Sequence, residues 1–186
     1  MSHEQLVRFC SPTLAGIKSG SLFSSEYSSE AEMTRSVRDL NRRLGPRGLR
    51  VLTLRRSGGR VLVYVYRPDG LERDLASDGA RSILAAAGYR AQSAGGCIAE
   101  LMRRLRRGGE FPHEIGLFLS YPPEDVSGFI EYGGRGSKLS GLWKVYGDEN
   151  AARRRFESYR RCTELYEHRL AMGVPLEKLA VPSHRA

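Results

Sequence analysis

The sequence predicts a single α/β (or α+β) domain, with a small mixed sheet of about four strands flanked by five or six helices. Two observations lead to this prediction. Runs rich in β-branched and aromatic residues at 49–55 and 60–66 surround Ser57-Gly58-Gly59, which is the pattern of a β-hairpin. Elsewhere, apolar residues recur every three or four positions, which predicts helices. The 186 residues fit one domain over 1–181, with a disordered C-terminal tail at 182–186.

Four helical segments follow from this spacing and from the residues that interrupt helices. Glycine and proline end three of them, because both residues disfavour a helix interior. Asp148 is the expected N-cap of the fourth segment, which is the longest. The predicted segments are Met33–Leu44 before Gly45-Pro46, Pro68–Gly88 with a break near 77–79, Ile98–Leu105 before Gly108-Gly109, and Ala152–Leu170.

The stretch from Phe111 to Asp148 predicts a strand, a helix and a second strand. Residues 115–120 form an uninterrupted apolar run, which favours a strand covered on both faces. Pro122-Pro123 begins a helix that runs to about Tyr132, and residues 142–146 form a short strand. Elements of these lengths in this order are typical of a βαβ crossover between parallel strands.

A βαβ crossover would bring polar residues that are distant in sequence close together at the two ends of its strands. Parallel neighbouring strands start together and end together, so His113-Glu114 would lie near the glycine-rich segment 133–141. Tyr121 would then lie near Gly147-Asp148, at the strand ends where ligands of open α/β sheets bind. An antiparallel pair would separate both groups.

Composition and charge exclude several classes of protein. Lys and Arg number 30 against 21 Asp and Glu, a net charge of +9, and all but four of the cations are Arg. No apolar run reaches the roughly 18 residues of a membrane span, and the first residues do not resemble a signal peptide. We therefore expect a soluble, cytoplasmic protein without membrane contacts. Cys10, Cys97 and Cys162 lack the spacing of metal ligands, so we predict no metal site, and the sequence identifies no cofactor.

The segment Cys10–Lys18 is the first candidate site. Ser11-Pro12 fits an N-cap followed by proline at the first helical position, which would place Cys10 beside a helix N-terminus. The helix dipole there favours a thiolate, and Thr13, Lys18 and the free amides would hold an anion. The alternative is that Cys10 is a small buried side chain next to an ordinary helix cap.

His113 and Glu114 are the second candidate site. An imidazole beside a carboxylate acts as a general base or as a ligand to a metal or haem, and the same pair also occurs as a structural hydrogen-bonding group in a turn. Tyr121, Lys138, Lys144 and Asp148 follow at the ends of predicted elements and are further candidate ligand contacts. The glycines between them allow a ligand to approach the backbone, or form a surface loop.

Arginine clusters at 103–107, 153–155 and 160–161 give two interpretations. They form an electropositive surface for an acidic protein or nucleic acid, or they are solvated helix faces. The sequence contains no helix-turn-helix, ribonucleoprotein or zinc-finger motif beside them, which favours the solvated faces.

Three separated motifs carry a resemblance to a known family. They are Cys10-Ser11-Pro12-Thr13-Leu14-Ala15-Gly16-Ile17-Lys18, Phe111–Leu119 with Tyr121–Val126, and Trp143–Asp148 with Tyr159-Arg160-Arg161-Cys162. Together they resemble the bacterial family known as domain of unknown function 3793, over essentially the whole chain. The resemblance implies no activity. It implies that Cys10, Lys18, His113, Glu114, Tyr121, Lys144 and Asp148 lie in the family's recognisable segments. The arginine-rich surface is less typical of the family, which makes nucleic acid the less favoured partner.

Three functions are consistent with these residues. The leading hypothesis is a small anionic ligand or cofactor bound in a pocket built from the segments Cys10–Lys18 and Phe111–Asp148. The first alternative is a thiol-dependent enzyme with Cys10 as nucleophile and His113 as base. The second alternative is a protein without catalytic activity that docks an acidic redox partner, such as a flavodoxin-like electron carrier, or nucleic acid through its arginines.

Overall fold

A computed structural model describes residues 1–108 and 110–183. They form two compact units: residues 1–70 with the chain from Tyr159 onward, and residues 71–158. The mixture of helices and strands confirms the predicted fold class, whereas one domain over 1–181 stays a prediction. In chain order the elements are α1 His3–Leu14, β1 Gly20–Glu26, α2 Glu30–Leu44, a 3₁₀ turn Gly45–Arg47, β2 Arg50–Ser57, β3 Arg60–Tyr66, α3 Pro68–Ala76, α4 Asp78–Ala86, α5 Ala94–Arg107, α6 Ile115–Phe118, α7 Pro123–Tyr132, β4 Leu139–Ser140, β5 Lys144–Val145, α8 Glu149–Ala171 and α9 Leu176–Leu179.

The first unit is built on a three-stranded antiparallel sheet in the order β1-β3-β2. The predicted hairpin β2–β3 is confirmed, and Gly58 and Gly59 supply the two positive φ angles that its tight turn requires. Val61, Val63 and Val65 alternate along β3, face the core and are fully buried. Helices α1 and α2 contact the sheet and contribute leucines to the same core.

Strand β1 is an element that the sequence pattern did not predict. Its sequence Gly-Ser-Leu-Phe-Ser-Ser-Glu is poor in β-branched residues, so it carries no strand signal of its own. The strand forms because β3 offers an open edge, on which Phe23 pairs with Val63 and Ser21 with Val65. Tertiary pairing therefore overrides local preference here.

The helical predictions are confirmed in type and closely in position. Helix α2 ends at Leu44 before the Gly45-Pro46 turn, and the predicted break near Ser77 separates α3 from α4. Helix α7 ends at Gly133, whose φ of 57° is the left-handed cap that glycine favours. Asp148 caps α8, since its carboxylate accepts the amide of Ala151 at 2.9 Å. The predicted end of α5 at Gly108-Gly109 lies partly outside the described residues, because residue 109 is not described.

The predicted βαβ crossover is wrong. Residues 115–118 form the one-turn helix α6, because periodicity does not distinguish a buried strand from a buried helix in so short an apolar run. Within residues 142–146 only Lys144–Val145 is a strand, and it pairs antiparallel with β4 rather than with a parallel neighbour. The second unit is therefore mainly helical, and α7 contacts α4, α6 and β5.

The predicted helix start at Ser11-Pro12 is also wrong. Helix α1 begins at His3, where the hydroxyl of Ser2 accepts the amide of Gln5 at 3.2 Å and the Gln5 side chain accepts the amide of Ser2. Cys10, Ser11 and Pro12 consequently lie in the C-terminal half of α1. The dipole at that end of a helix does not favour a thiolate.

The end of the chain is described as far as Ser183, so the predicted tail at 182–186 lies partly outside the described residues. The amide of Val181 donates to the carbonyl of Leu14 at 3.0 Å, and the hydroxyl of Ser183 accepts a hydrogen bond from Arg67. Among the described helices, none combines the length and the apolar character needed to cross a bilayer.

Candidate functional site

The second unit contains a cavity of about 340 Å³, a volume within the usual range for small-molecule sites. Residues of α6, α7 and the β4–β5 hairpin form its walls. Most of them are apolar or aromatic, with few polar groups. The lining residues are His113, Ile115, Gly116, Tyr121, Asp125, Val126, Phe129, Ser140, Gly141, Leu142, Trp143 and Lys144.

Trp143, the one tryptophan of the sequence, forms a fixed wall of this cavity. Its indole N–H donates to Oδ2 of Asp125 at 2.7 Å. Its ring stacks on Tyr121 with the centroids 4.6 Å apart, and Phe156 meets it edge-on at 4.4 Å. These three contacts hold the indole, so the wall exists without a ligand.

Asp125 joins helix α7 to the end of the β4–β5 hairpin. Besides the indole of Trp143, its Oδ1 accepts the backbone amides of Tyr146 at 2.7 Å and Gly147 at 2.8 Å. The carboxylate is buried and lies in the first turn of α7, where the helix dipole also stabilises a negative charge. Because these donors surround it, Asp125 builds the cavity and is poorly placed to bind a ligand.

A lysine and a histidine line the cavity. The Lys144 side chain is half-buried and forms no ion pair with any residue that the structure describes. The His113 imidazole lies between aromatic rings, 4.9 Å from the centroid of Phe129 and 6.3 Å from that of Phe111. The two oxygens of Asp125 already accept three hydrogen bonds, so Lys144 and His113 are side chains of this lining with polar atoms left for further contacts.

Three of the predicted site residues of this region, His113, Tyr121 and Lys144, meet in this cavity. Two residues of the glycine-rich segment, Ser140 and Gly141, line the same cavity as His113, although no pair of parallel strands places them there.

Three other predicted residues lie outside the cavity and have structural partners. Glu114 is buried and accepts the hydroxyl of Tyr89 at 3.1 Å. Lys138 donates to the carbonyl of Gly147 at 2.8 Å. Asp148 caps α8, and the amide of Ala151 holds the pKa of its carboxyl below the usual range.

The predicted residues Cys10, Thr13 and Lys18 belong to the first unit. Cys10 is fully buried, and this burial raises the pKa of its thiol to about 12. The hydroxyl of Thr13 is buried and shares a 2.8 Å hydrogen bond with Ser21. Burial lowers the pKa of Lys18 to about 8. A protonated, inaccessible thiol has the properties of a packed core cysteine rather than of a nucleophile.

Several residues of the arginine clusters pair with acids on their own helices. Arg103 and Arg104 both bond Glu100, Arg153 bonds Glu149, and Arg160 bonds Glu164. Such pairs at a spacing of three or four residues are typical of solvated helix faces. They leave less free positive charge at these clusters than the sequence implies.

No group of three or more His, Cys, Asp or Glu side chains within residues 1–108 and 110–183 is arranged to hold a metal ion. The cavity of the second unit is lined mainly by apolar and aromatic side chains, with His113 and Lys144 among its few polar ones.

The model of one protein family, described as protein of unknown function (DUF3793), matches residues 6–180. The chain belongs to the DUF3793 family. This membership confirms the resemblance carried by the three motifs. Comparison of this DUF3793 protein with curated proteins and with solved structures gives no match.

Sequence reasoning missed Asp125, Phe129 and Gly141 as parts of the site of this DUF3793 protein. An acid in the first turn of a helix is explained by the helix dipole alone, so Asp125 gave no separate signal. One signal was available: Tyr121, Phe129 and Trp143 form an aromatic group within a short stretch of sequence, and such groups line small-molecule sites.

Proposed function

We propose that this protein binds a small aromatic or largely apolar molecule with a negatively charged group in the cavity of its second unit. The supporting observation is the cavity of about 340 Å³, in which an immobilised Trp143 and the rings of Tyr121 and Phe129 face Lys144 and His113. The rings would take up the apolar part of the ligand, and the ammonium of Lys144 would pair with its anionic group.

Two finer properties belong to the same proposal. The ligand is bound without covalent chemistry, since the buried thiol of Cys10 has too high a pKa to be a nucleophile at neutral pH. We also place the protein in the cytoplasm, because all three of its cysteines are free thiols.

A matched pair of dyes tests the proposal. Anilinonaphthalene sulfonate carries two aromatic groups and one sulfonate, and phenylnaphthylamine is the same skeleton without the charge. We expect the sulfonate to bind more tightly, and we expect it to shift the indole N–H cross-peak in a ¹H–¹⁵N spectrum. That cross-peak is unambiguous because Trp143 is the one tryptophan of the sequence.

Substitution of Lys144 separates the charge contribution from the apolar one. Lys144→Gln is expected to weaken the sulfonate about 5- to 10-fold, roughly 1 kcal/mol, and the uncharged dye less than about 2-fold. Lys138→Gln is the control, because Lys138 is a neighbouring lysine outside the cavity lining. Absence of binding by either dye, an unmoved indole cross-peak, or equal weakening of both dyes by Lys144→Gln would overturn the proposal.

A further inference from the structure

A second cavity of about 570 Å³ borders the first one within the second unit. Its walls come from α4, the end of α5, the segment before α6, and α7. Phe111 and Ile130, both about half exposed, line it together with Pro112, so its surface is partly apolar. The description of the family assigns this second cavity no role, and the function proposed for the first cavity does not use it.

The two cavities meet at His113, which belongs to the lining of both. The ring of His113 contacts Phe129 of the first cavity and Phe111 of the second. Helix α7 also serves both, with Phe129 in the first lining and Ile130 in the second. A ligand that passes along the imidazole would therefore touch apolar surface on either side of it.

The charged groups of the second cavity differ in their availability. Glu114 accepts the hydroxyl of Tyr89 and lies 3.7 Å from the guanidinium of Arg104. Arg104 itself bonds Glu100 at 2.8 Å and lies over the ring of Tyr89 at 4.6 Å. Arg103 also bonds Glu100, so two arginines and two glutamates pair with one another and the buried part of the cavity offers a ligand little net charge.

Arg107 is the cation that remains. It is exposed in the lining of the second cavity and forms no ion pair with a residue that the structure describes. The carboxylate of Glu110 also belongs to this lining and would favour ligands whose acidic group approaches from the Arg107 side. A guanidinium binds carboxylate, sulfonate and phosphate groups through two parallel hydrogen bonds.

We propose that the ligand of this protein is elongated and carries negative charge at both ends. One end pairs with Lys144 in the first cavity, the apolar middle lies along His113, and the other end pairs with Arg107 in the second cavity. This inference rests on the proposed function, because it takes the first cavity as the place where the ligand begins. The chemical class is thus a dianion with an apolar core, such as an aromatic compound with two acidic groups.

A dye with two sulfonates tests the second anchor. Bis-anilinonaphthalene sulfonate is the covalent dimer of the dye with one sulfonate, so it presents the same rings over a greater length with a second charge. We expect one dimer to bind per chain and to displace the monomer. Arg107→Gln is expected to weaken the dimer about 5- to 10-fold and the monomer less than about 2-fold.

Arg106→Gln is the matched control, because Arg106 is an exposed neighbour on α5 outside the cavity lining. If the monomer binds and depends on Lys144 while the dimer is indifferent to Arg107, the second anchor is wrong and the proposed function stands. If neither dye binds, the proposed function itself fails. Equal weakening of the dimer by Arg106→Gln and Arg107→Gln would show a general charge effect and would also overturn the inference.

Discussion

Asp125 is the residue on which the geometry of the first cavity depends. Its two oxygens accept three hydrogen bonds, from the Trp143 indole and from the amides of Tyr146 and Gly147. Asp125→Asn replaces one oxygen by an NH₂ group, which then faces a donor. We expect the variant to lose about 1–3 kcal/mol of unfolding free energy, because it leaves a buried donor unpaired. Denaturant unfolding followed by the fluorescence of Trp143 measures this loss.

Asp148→Asn is the control with the same chemical change. Asp148 is an exposed N-cap of α8, and asparagine caps a helix as well as aspartate does, so a change below about 0.5 kcal/mol is expected. Equal losses of unfolding free energy in the two variants would mean that the hydrogen bonds of Asp125 contribute no more to stability than those of an exposed helix cap.

At the scale of single residues, the sequence predicted several side chains of the candidate site but not the hydrogen-bond partners that hold the site together. His113, Tyr121 and Lys144 were predicted as site residues and do line one cavity. The role of Asp125 could not be predicted, because its three donors lie 18 to 22 residues further along the chain. The sequence predicted a helix N-terminus beside Cys10, but helix α1 begins at His3. The helix dipole therefore gives no reason to expect a reactive Cys10 thiol.

The packing of α7 against Tyr146, the residue after β5, is tested by glycine substitutions. A Cβ on Gly128 would lie 2.4 Å from Cγ of Tyr146, and the ring of that residue is packed against Tyr132. Gly128→Ala is therefore expected to destabilise the protein by about 1–3 kcal/mol, even though alanine is the better helix former. Thermal or denaturant unfolding gives the value directly.

Gly95→Ala provides the opposite case. Gly95 lies in the first turn of α5, and a Cβ there would meet no atom within 4 Å. Alanine should stabilise the protein by a few tenths of a kcal/mol up to about 1 kcal/mol, through helix propensity alone. Effects of the same sign in the two variants would contradict the close approach of Tyr146 to α7.

At the scale of elements, periodicity was sufficient for long amphipathic segments and insufficient for short buried ones. The stripes of α2 and α5 identified those helices, because one face of each is buried and the other is not. The β-branched and aromatic run beside the Gly58-Gly59 turn identified β3. Helix α6 has no polar face, because residues 115–118 are all buried. Its sequence therefore lacks the alternation of apolar and polar residues that distinguishes a helix from a strand. Strand β1 exists only through its pairing with β3.

At the scale of the whole chain, Arg67 brings together segments that are far apart in sequence. Its guanidinium donates to the carbonyls of Thr13 at 2.7 Å, Leu14 at 2.6 Å and Val181 at 2.7 Å. It also bonds the carbonyl of Arg47 and the hydroxyl of Ser183. The side chain is buried and burial lowers its pKa. Its donors are satisfied by carbonyl and hydroxyl oxygens, and within residues 1–108 and 110–183 it has no acidic partner.

Arg67→Lys keeps the positive charge and removes the planar set of donors that reaches these three segments. We expect a loss of about 2–4 kcal/mol of unfolding free energy, because a lysine ammonium has three donors on one nitrogen and leaves buried carbonyls unpaired. Far-UV circular dichroism in a denaturant series measures the loss. Hydrogen exchange of the Val181 amide, which donates to Leu14, should become faster in the same variant. Arg55→Lys, at an exposed position of β2, should change neither quantity. If Arg67→Lys changes neither the unfolding free energy nor the exchange of the Val181 amide, the first unit does not depend on the guanidinium of Arg67.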